Sequence, residues 1–365
     1  MPKVSKQDKF TKKLTQYKRE INVDIKTYSK YVQQTTLQNY GKHSRVGADA
    51  YIDILNRGGK RIRGSLVMVG YEMSGGTNHD MILQAARAVE MIHAYVLILD
   101  DIMDRSQTRR GGEAAQVAMA NYYTKHVFGD DKQHFGESIA ATSALLGNHG
   151  AQMIMANLDA PAQLKLNAIS ILNRGMNITV HGQLNDVFNQ VVGEVDERAV
   201  NNVTEWKTAH YTFLNPLHIG MILAGADCHS TDAITDYAMN MGRAFQLTDD
   251  ILGTFGNEFD VGKSPLDDIR EGKRTLLIIH ALKHTSEANN NFLIQMLGNQ
   301  KITLSQFDRC KDIIIESGAL EYCQNKAKHY INLAQKSLNK ESKLWSQDGI
   351  RFLSGMTDYL LQRTT

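Results

Sequence analysis

Five aspartates stand in two short runs, Asp100-Asp101-Ile-Met-Asp104 and Asp249-Asp250-Ile-Leu-Gly253. On a helix, Asp100 and Asp104 lie one turn apart on one face, where like charges repel. Such a pair calls for a cation. Carboxylate oxygens on one face suit magnesium, which keeps several waters and completes its shell with phosphate oxygens of a substrate. His93 precedes Asp100 by seven residues and falls on the same stripe. In the second run Gln246 precedes Asp249 by three and Asp250 by four, so these polar groups also share a face. A solvated helix end is the plain alternative for the first run. It is weakened because the acids end an apolar stretch, Ala94 to Leu99, that reads as buried. Two such runs, roughly 150 residues apart, suggest facing helices with metal held between them.

Cations gather around both runs. Gly58-Gly59-Lys60-Arg61-Ile-Arg63-Gly64 sets them beside a flexible turn, and Arg109-Arg110-Gly111-Gly112 follows the first run. Lys207-Thr208 opens a stretch ending at Pro216. Gly262-Lys263 and Asp268-Ile-Arg270-Glu271-Gly-Lys273-Arg274-Thr275 follow the second run. Arginine forks bind phosphate oxygens with two hydrogen bonds, lysine supplies a point charge, and glycine allows close backbone approach. Any one cluster alone would be a solvated surface patch. Their placement around two metal-binding runs points to a polyphosphate ligand.

The elements that must carry these groups are helices. Only four prolines occur in 365 residues, which favours long uninterrupted helices. Between Met81 and Asp104 the apolar residues Ala85, Val89, Ile92, Val96, Leu99 and Met103 recur at spacings of three and four. Tyr237, Met241, Ala244 and Phe245 form a similar face before the second run. Strand-like alternation is scarce. The reading is an all-α fold, one domain of ten or more helices without an internal boundary, preceded by a basic helical arm over residues 1–40 with a solvated lysine face. Hydrophobic residues at 42% and charged residues at 22% are ordinary for a globular chain, and a net charge of +2 gives no support to nucleic-acid binding. Three cysteines without paired spacing suggest a reduced, cytoplasmic protein. The start lacks a secretory leader, and no apolar run approaches the roughly 20 residues a spanning helix needs.

In order, GGKRIRG, the segment Glu90 to Asp104 ending LDDIMD, RRGG, GQLNDV at Gly182 to Val187, KTAHYTFLNPL at Lys207 to Leu217, GRAFQLTDDILG and GKSPLDDIREGKRT resemble the trans-isoprenyl diphosphate synthases, the polyprenyl synthetase family. The resemblance runs from about Arg57 to Thr275. It implies an isoprenoid synthase bundle around a central apolar cavity, with the catalytic domain at 41–365. The implied reaction is magnesium-dependent head-to-tail condensation of isopentenyl diphosphate with an allylic prenyl diphosphate. Up to three magnesium ions are implied, with Asp100 and Asp104 as ligands supported by Asp101, and Asp249 as a further ligand with Asp250 in the outer shell. Lys60, Arg63, His93 and Arg110 would hold isopentenyl diphosphate; Arg109, Lys207 and Lys263 would hold the allylic diphosphate. Thr208 and Gln246 would line the reacting centre, and Lys273 with Asp268 would belong to a closing lid. A homodimer is implied, with residues 121–150 as interface.

The chain departs from the family pattern at Gly64, where proline is usual, at Gly253, where a third aspartate is usual, and at Asn148. The Asp267-Asp268 string is expected to be a loop salt-bridge cluster rather than a third metal motif. By resemblance, bulk before the first acidic run shortens the product. Tyr95, with Val96, would floor the tunnel and give a product of fifteen or twenty carbons, with geranylgeranyl diphosphate favoured. The rival from another class is a non-catalytic modulating subunit. Such a chain should have lost acidic ligands, yet five of six positions in the two runs are intact.

Overall fold

The computed structural model describes residues 6–126, 131–256 and 264–363. These residues form more than ten α-helices, one π-helix and a two-stranded hairpin, so the fold is all-α. The chain divides into two compact units, one of Lys12–Ile169 with Ile219–Gly225, the other of Met1–Thr11, Ser170–His218 and Ala226–Thr365.

The first unit is built on α1 (Lys6–Asn56), α2 (Ile62–Met73) and α3 (His79–Met103). Along α1, Tyr17, Ile21 and Ile25 are buried at intervals of four while Lys12, Lys18, Arg19, Lys26 and Lys30 are exposed. The helix bends at Gly41, whose φ of 80° and ψ of −175° are non-helical. Asn78 caps α3 by accepting from the Met81 N–H, and Ala85, Val89 and Ile92 are buried as their spacing predicts. Further along, the burial expected of Ala94 to Leu99 holds at Ala94 and Ile98 only. Tyr95, Val96, Leu97 and Leu99 are half-buried and Met103 is exposed. An apolar stretch running all round a helix cannot be covered on every side when α2 and α5 (Lys132–Ala156) are its main neighbours. By length and hydropathy α3 could cross a membrane, contrary to the sequence expectation; 56% of its most apolar window is buried inside the protein.

Between them runs the hairpin β1 (Thr108–Arg109) and β2 (Gly112–Glu113), with Thr108 opposite Glu113. Its two-residue turn, Arg110-Gly111, has φ of 51° and 76°, the left-handed pair that tight hairpins require. Then come α4 (Ala115–His126) and α5. Next, α6 (Ala162–Val191) leads from the first unit into the second.

The second unit continues with α7 (Glu197–Val203) and a π-helix (Thr204–Leu214) that passes straight into α8 (Asn215–Leu223), whose residues from Ile219 on belong to the first unit. After α9 (Cys228–Ala233) comes α10 (Thr235–Phe255), on which Tyr237, Met241 and Ala244 are buried as expected. Phe245 is half-buried and meets Phe213 edge-on at 5.7 Å. The short α11 (Asp267–Glu271) takes the place of the expected loop; within it Arg270 pairs with Asp267 at 3.7 Å. Helices α12 (Leu276–Lys283), α13 (Glu287–Met296), α14 (Leu304–Glu316), α15 (Ala319–Lys340) and α16 (Gln347–Leu361) complete the unit. Leu277, Phe307, Ile314 and the free thiols Cys310 and Cys323 are in its core. Burial pushes those thiols up to about 11 and about 12, so they behave as apolar fillers.

Candidate active site

In the first unit the acidic run is the last turn of α3, with Asp104 as the residue that ends it. Carboxylates there oppose the negative end of the helix dipole as well as one another. One is neutralised internally. Asp101 has no solvent exposure and accepts from Arg109 Nε at 2.9 and 3.1 Å, with Arg109 Nη2 also on it. Burial raises the Asp101 carboxyl and Arg109 works against that rise. Conversely, burial would lower Arg109, but Asp101 outweighs it and the guanidinium is raised. Arg109 Nη2 also lies 3.9 Å from Asp100 Oδ2. Gln116 fastens this corner, donating to the carbonyls of Asp101 and Ser106 at 3.0 and 2.8 Å.

The hairpin that delivers Arg109 and Arg110 is held by Arg57, which donates to the carbonyls of Arg109 and Glu113 at 2.8 and 2.7 Å. Gly59 makes room for Arg110: a Cβ at residue 59, where φ is 113°, would stand 3.1 Å from the guanidinium carbon. Arg110 Nη1 is buried and has no hydrogen-bond partner. Burial, then Arg61, pulls this arginine down to about 10, so it stays charged at neutral pH. Arg63 Nη1 stands 3.1 Å from His93 Nε2. Because the arginine donates, His93 accepts through Nε2 and carries its proton on Nδ1. Desolvation, then Arg63 and Arg110, lowers His93 well below 6.5, so the ring is neutral. Lys60 is exposed beside this group. The structure thus gathers Arg63, His93 and Arg110 into one cationic cradle with an unsatisfied donor, which fits a polyanion.

In the second unit, Thr208 Oγ1 donates to Gln246 Oε1 at 2.6 Å, and Gln246 Nε2 donates to Asp250 Oδ1 at 2.7 Å. This chain fixes the Gln246 amide and spends the only proton of Thr208. Asp249, next door, is exposed. Lys207 Nζ pairs with Asp186 Oδ2 at 2.7 Å. Lys207 and Thr208 stand in the π-helix, whose packing depends on two glycines. A Cβ at Gly182 of α6 would come 2.5 Å from Lys207 N, and one at Gly242 of α10 would come 2.3 Å from Ala209 Cα. At Gly253 a Cβ would lie 2.9 Å from Asp268 Oδ2, so the buried Asp268 carboxylate fills the space beside the missing third acid. Lys273 pairs with Glu271 at 2.8 Å. Lys263 lies outside the described residues.

Among the described residues no three His, Cys, Asp or Glu side chains cluster as a self-sufficient metal site. Magnesium takes one or two carboxylates and draws its other ligands from water and phosphate. The sequence expectation assigns such ligation to Asp100 and Asp104, and separately to Asp249. Sequence reading gave no role to Arg57, Glu90, Asp186 or Gln116. The signal for Glu90 was present: it is a lone acid within the apolar run of α3, and such an acid needs a buried partner.

Residues 45–314 match the family model described as polyprenyl synthetase. The chain belongs to the polyprenyl synthetase family. It is similar to a geranylgeranyl diphosphate synthase of Saccharolobus solfataricus, 30% identical over 86% of this chain and 90% of that one. It is also similar to an octaprenyl diphosphate synthase of Haemophilus influenzae, 30% identical over 78% of this chain and 79% of that one. A solved geranylgeranyl pyrophosphate synthase from Corynebacterium glutamicum, complexed with isoprenyl diphosphate and magnesium, shares 25% identity and superimposes with a TM-score of 0.91 over 96% of this chain and 99% of that one. Membership makes this chain a prenyltransferase by family. The two curated relatives carry products of very different length, so identity alone does not fix the product.

Proposed function

We propose that the chain condenses isopentenyl diphosphate head to tail with an allylic prenyl diphosphate, using magnesium, to a product of fifteen or twenty carbons. The observation that carries this reading is that one unit holds two separate anion-binding features. One is the acidic end of α3 with Arg109, suited to metal and diphosphate together. The other is the Arg63, His93 and Arg110 cradle, whose buried Arg110 donor suits a second diphosphate. A chemistry that ionises a single prenyl diphosphate would need only the first.

In this reading Lys60, Arg63, His93 and Arg110 hold isopentenyl diphosphate and orient its double bond. Asp100 and Asp104, and separately Asp249, would hold magnesium, which would supply positive charge against the departing allylic diphosphate. Arg109, Lys207 and Lys263 add their charge to the same leaving group. The Thr208 hydroxyl donates its hydrogen bond to Gln246, so its lone pairs point elsewhere and would favour an allylic cation. The double bond attacks the cation, and the departing diphosphate takes the proton that is lost. Water would quench the cation, so closure by the segment of Asp268 and Lys273 belongs to the chemistry. A cytoplasmic homodimer is part of the proposal.

The test is incubation of the full chain with isopentenyl diphosphate, magnesium and each allylic primer in turn, followed by chain-length analysis. Elongation to fifteen or twenty carbons is expected. No elongation from any primer sinks the reading and leaves a modulating subunit. Tyr95, half-buried one turn before Leu99, is assigned to the tunnel floor. Tyr95→Ala should lengthen the product by at least one five-carbon unit; an unchanged product discards that assignment.

A further inference from the structure

We propose that Glu90, which takes no part in holding either substrate in the reading above, is the positioning residue of the isopentenyl diphosphate cradle; the inference rests on that reading and deepens it. Glu90 is 1% exposed in the middle of α3. Its Oε2 accepts from Arg61 Nη1 at 3.0 Å, and its Oε1 accepts from the Gly64 N–H at 2.9 Å. Arg61 faces inward and is 3% exposed. Its Nη2 donates to the Leu55 carbonyl at 2.6 Å and its Nε to Asn22 Oδ1 at 2.9 Å. Of the three cations in Lys60-Arg61-Ile-Arg63, Arg61 is therefore committed to the core, and it ties the turn to both α1 and α3.

This arrangement decides where Lys60 and Arg63 stand. Arg61 has a left-handed backbone with φ of 53°, a conformation that a non-glycine residue keeps only when its surroundings hold it. Glu90 holds it through the side chain. Gly64 is in the first turn of α2, where an N–H has no partner within the helix, and Glu90 supplies one. One carboxylate thus pins the residue before α2 and its first turn, and Arg63 between them is left to meet His93 at 3.1 Å. Glycine at 64 is what permits this. A Cβ there would stand 3.1 Å from Glu90 Cγ and 2.9 Å from Ile21 Cδ1, and the proline usual at this position in the family pattern has no N–H to give. Electrostatics work the same way. Arg61, Arg63 and Arg109 all press on Arg110, and Glu90 is the acid that counters them. Without it, Arg61 adds a buried charge that presses on Arg110, and the turn is driven apart.

Glu90→Gln in the full chain tests this. The Michaelis constant for isopentenyl diphosphate should rise about tenfold while that for the allylic primer stays within about twofold, because only one cradle loses its alignment. Metal-free calorimetric titration with isopentenyl diphosphate should show the same weakening without need of turnover. Equal changes for both substrates, or a lower melting temperature with unchanged Michaelis and dissociation constants, would mean a purely structural role and overturn the proposal. If Glu90→Gln does not fold, Arg61→Gln with Glu90→Gln removes both buried charges and keeps an amide pair. That variant should still show the selective loss, and wild-type affinity for isopentenyl diphosphate in it overturns the proposal. A wild-type chain that elongates no primer fails the functional reading instead, while the titration still decides the role of Glu90.

Discussion

His93 is read as a binder of diphosphate, yet in the folded chain it is neutral and accepts a hydrogen bond from Arg63. It meets Arg63 without a charge of its own. The lowered pKa has a consequence for stability. In the unfolded chain the imidazole titrates near 6.5, and in the folded chain only well below that. Stability from this group is therefore complete above 6.5 and is lost as pH falls towards the folded value, because the unfolded state binds the proton first. We expect His93→Gln to flatten the fall in urea-unfolding free energy as pH drops from about 7.5 to about 5. An identical slope in wild type and variant would show that His93 is not buried in its neutral form.

Helix ends and helix contacts carry the next predictions. Three aspartates crowd the end of α3; Asp101 is paired closely with Arg109, and Asp100 lies 3.9 Å from the same guanidinium. Removing one charge should relieve repulsion and the dipole conflict together. Asp100→Asn is expected to stabilise the metal-free protein by about 0.3–1 kcal/mol. Under the proposed function the same change removes a magnesium ligand and should lower kcat/KM by about a hundredfold or more. A destabilised variant in a thermal melt would contradict this account of α3. At the other motif, Gly242→Ala puts a methyl against Ala209 Cα, where there is backbone rather than a flexible side chain to give way. The cost should be about 1–3 kcal/mol, and kcat should fall because Thr208 is the neighbouring residue of the π-helix. Unchanged stability would show that α10 and the π-helix separate freely. A π-helix is an uncommon element that occurs mostly at functional sites, and here it carries Lys207 and Thr208.

At the scale of the whole molecule, the residues proposed for one reaction are divided between two compact units, Asp100, Asp104 and the cradle in one, Asp249, Lys207 and Gln246 in the other. Under the proposed function, diphosphate completes the magnesium ligand shell that the aspartates begin. We expect magnesium alone to move the melting temperature little. Magnesium with inorganic diphosphate at about a hundred times its dissociation constant should add about 2.7 kcal/mol. An equal shift with magnesium alone would point to a self-sufficient metal site and against one completed by diphosphate.

Residue types and spacing determined the all-α class, the two acidic runs and the family, because helical periodicity and motif order are local properties of the chain. Burial along α10 was legible for the same reason. Burial along α3 was not, since which side of an apolar helix stays open depends on its neighbours, and that left Tyr95 and Leu99 half-covered. Only the tertiary structure decided which charges face ligand and which face one another. It put Asp101 on Arg109, Arg61 on Glu90 and Lys207 on Asp186, pairs separated by 8, 29 and 21 residues. It also placed the π-helix, whose close approach to Gly182 and Gly242 depends on α6 and α10. A sequence shows that a charge is present. The low dielectric of a particular packed neighbourhood decides whether that charge is neutralised inside or left to meet a substrate.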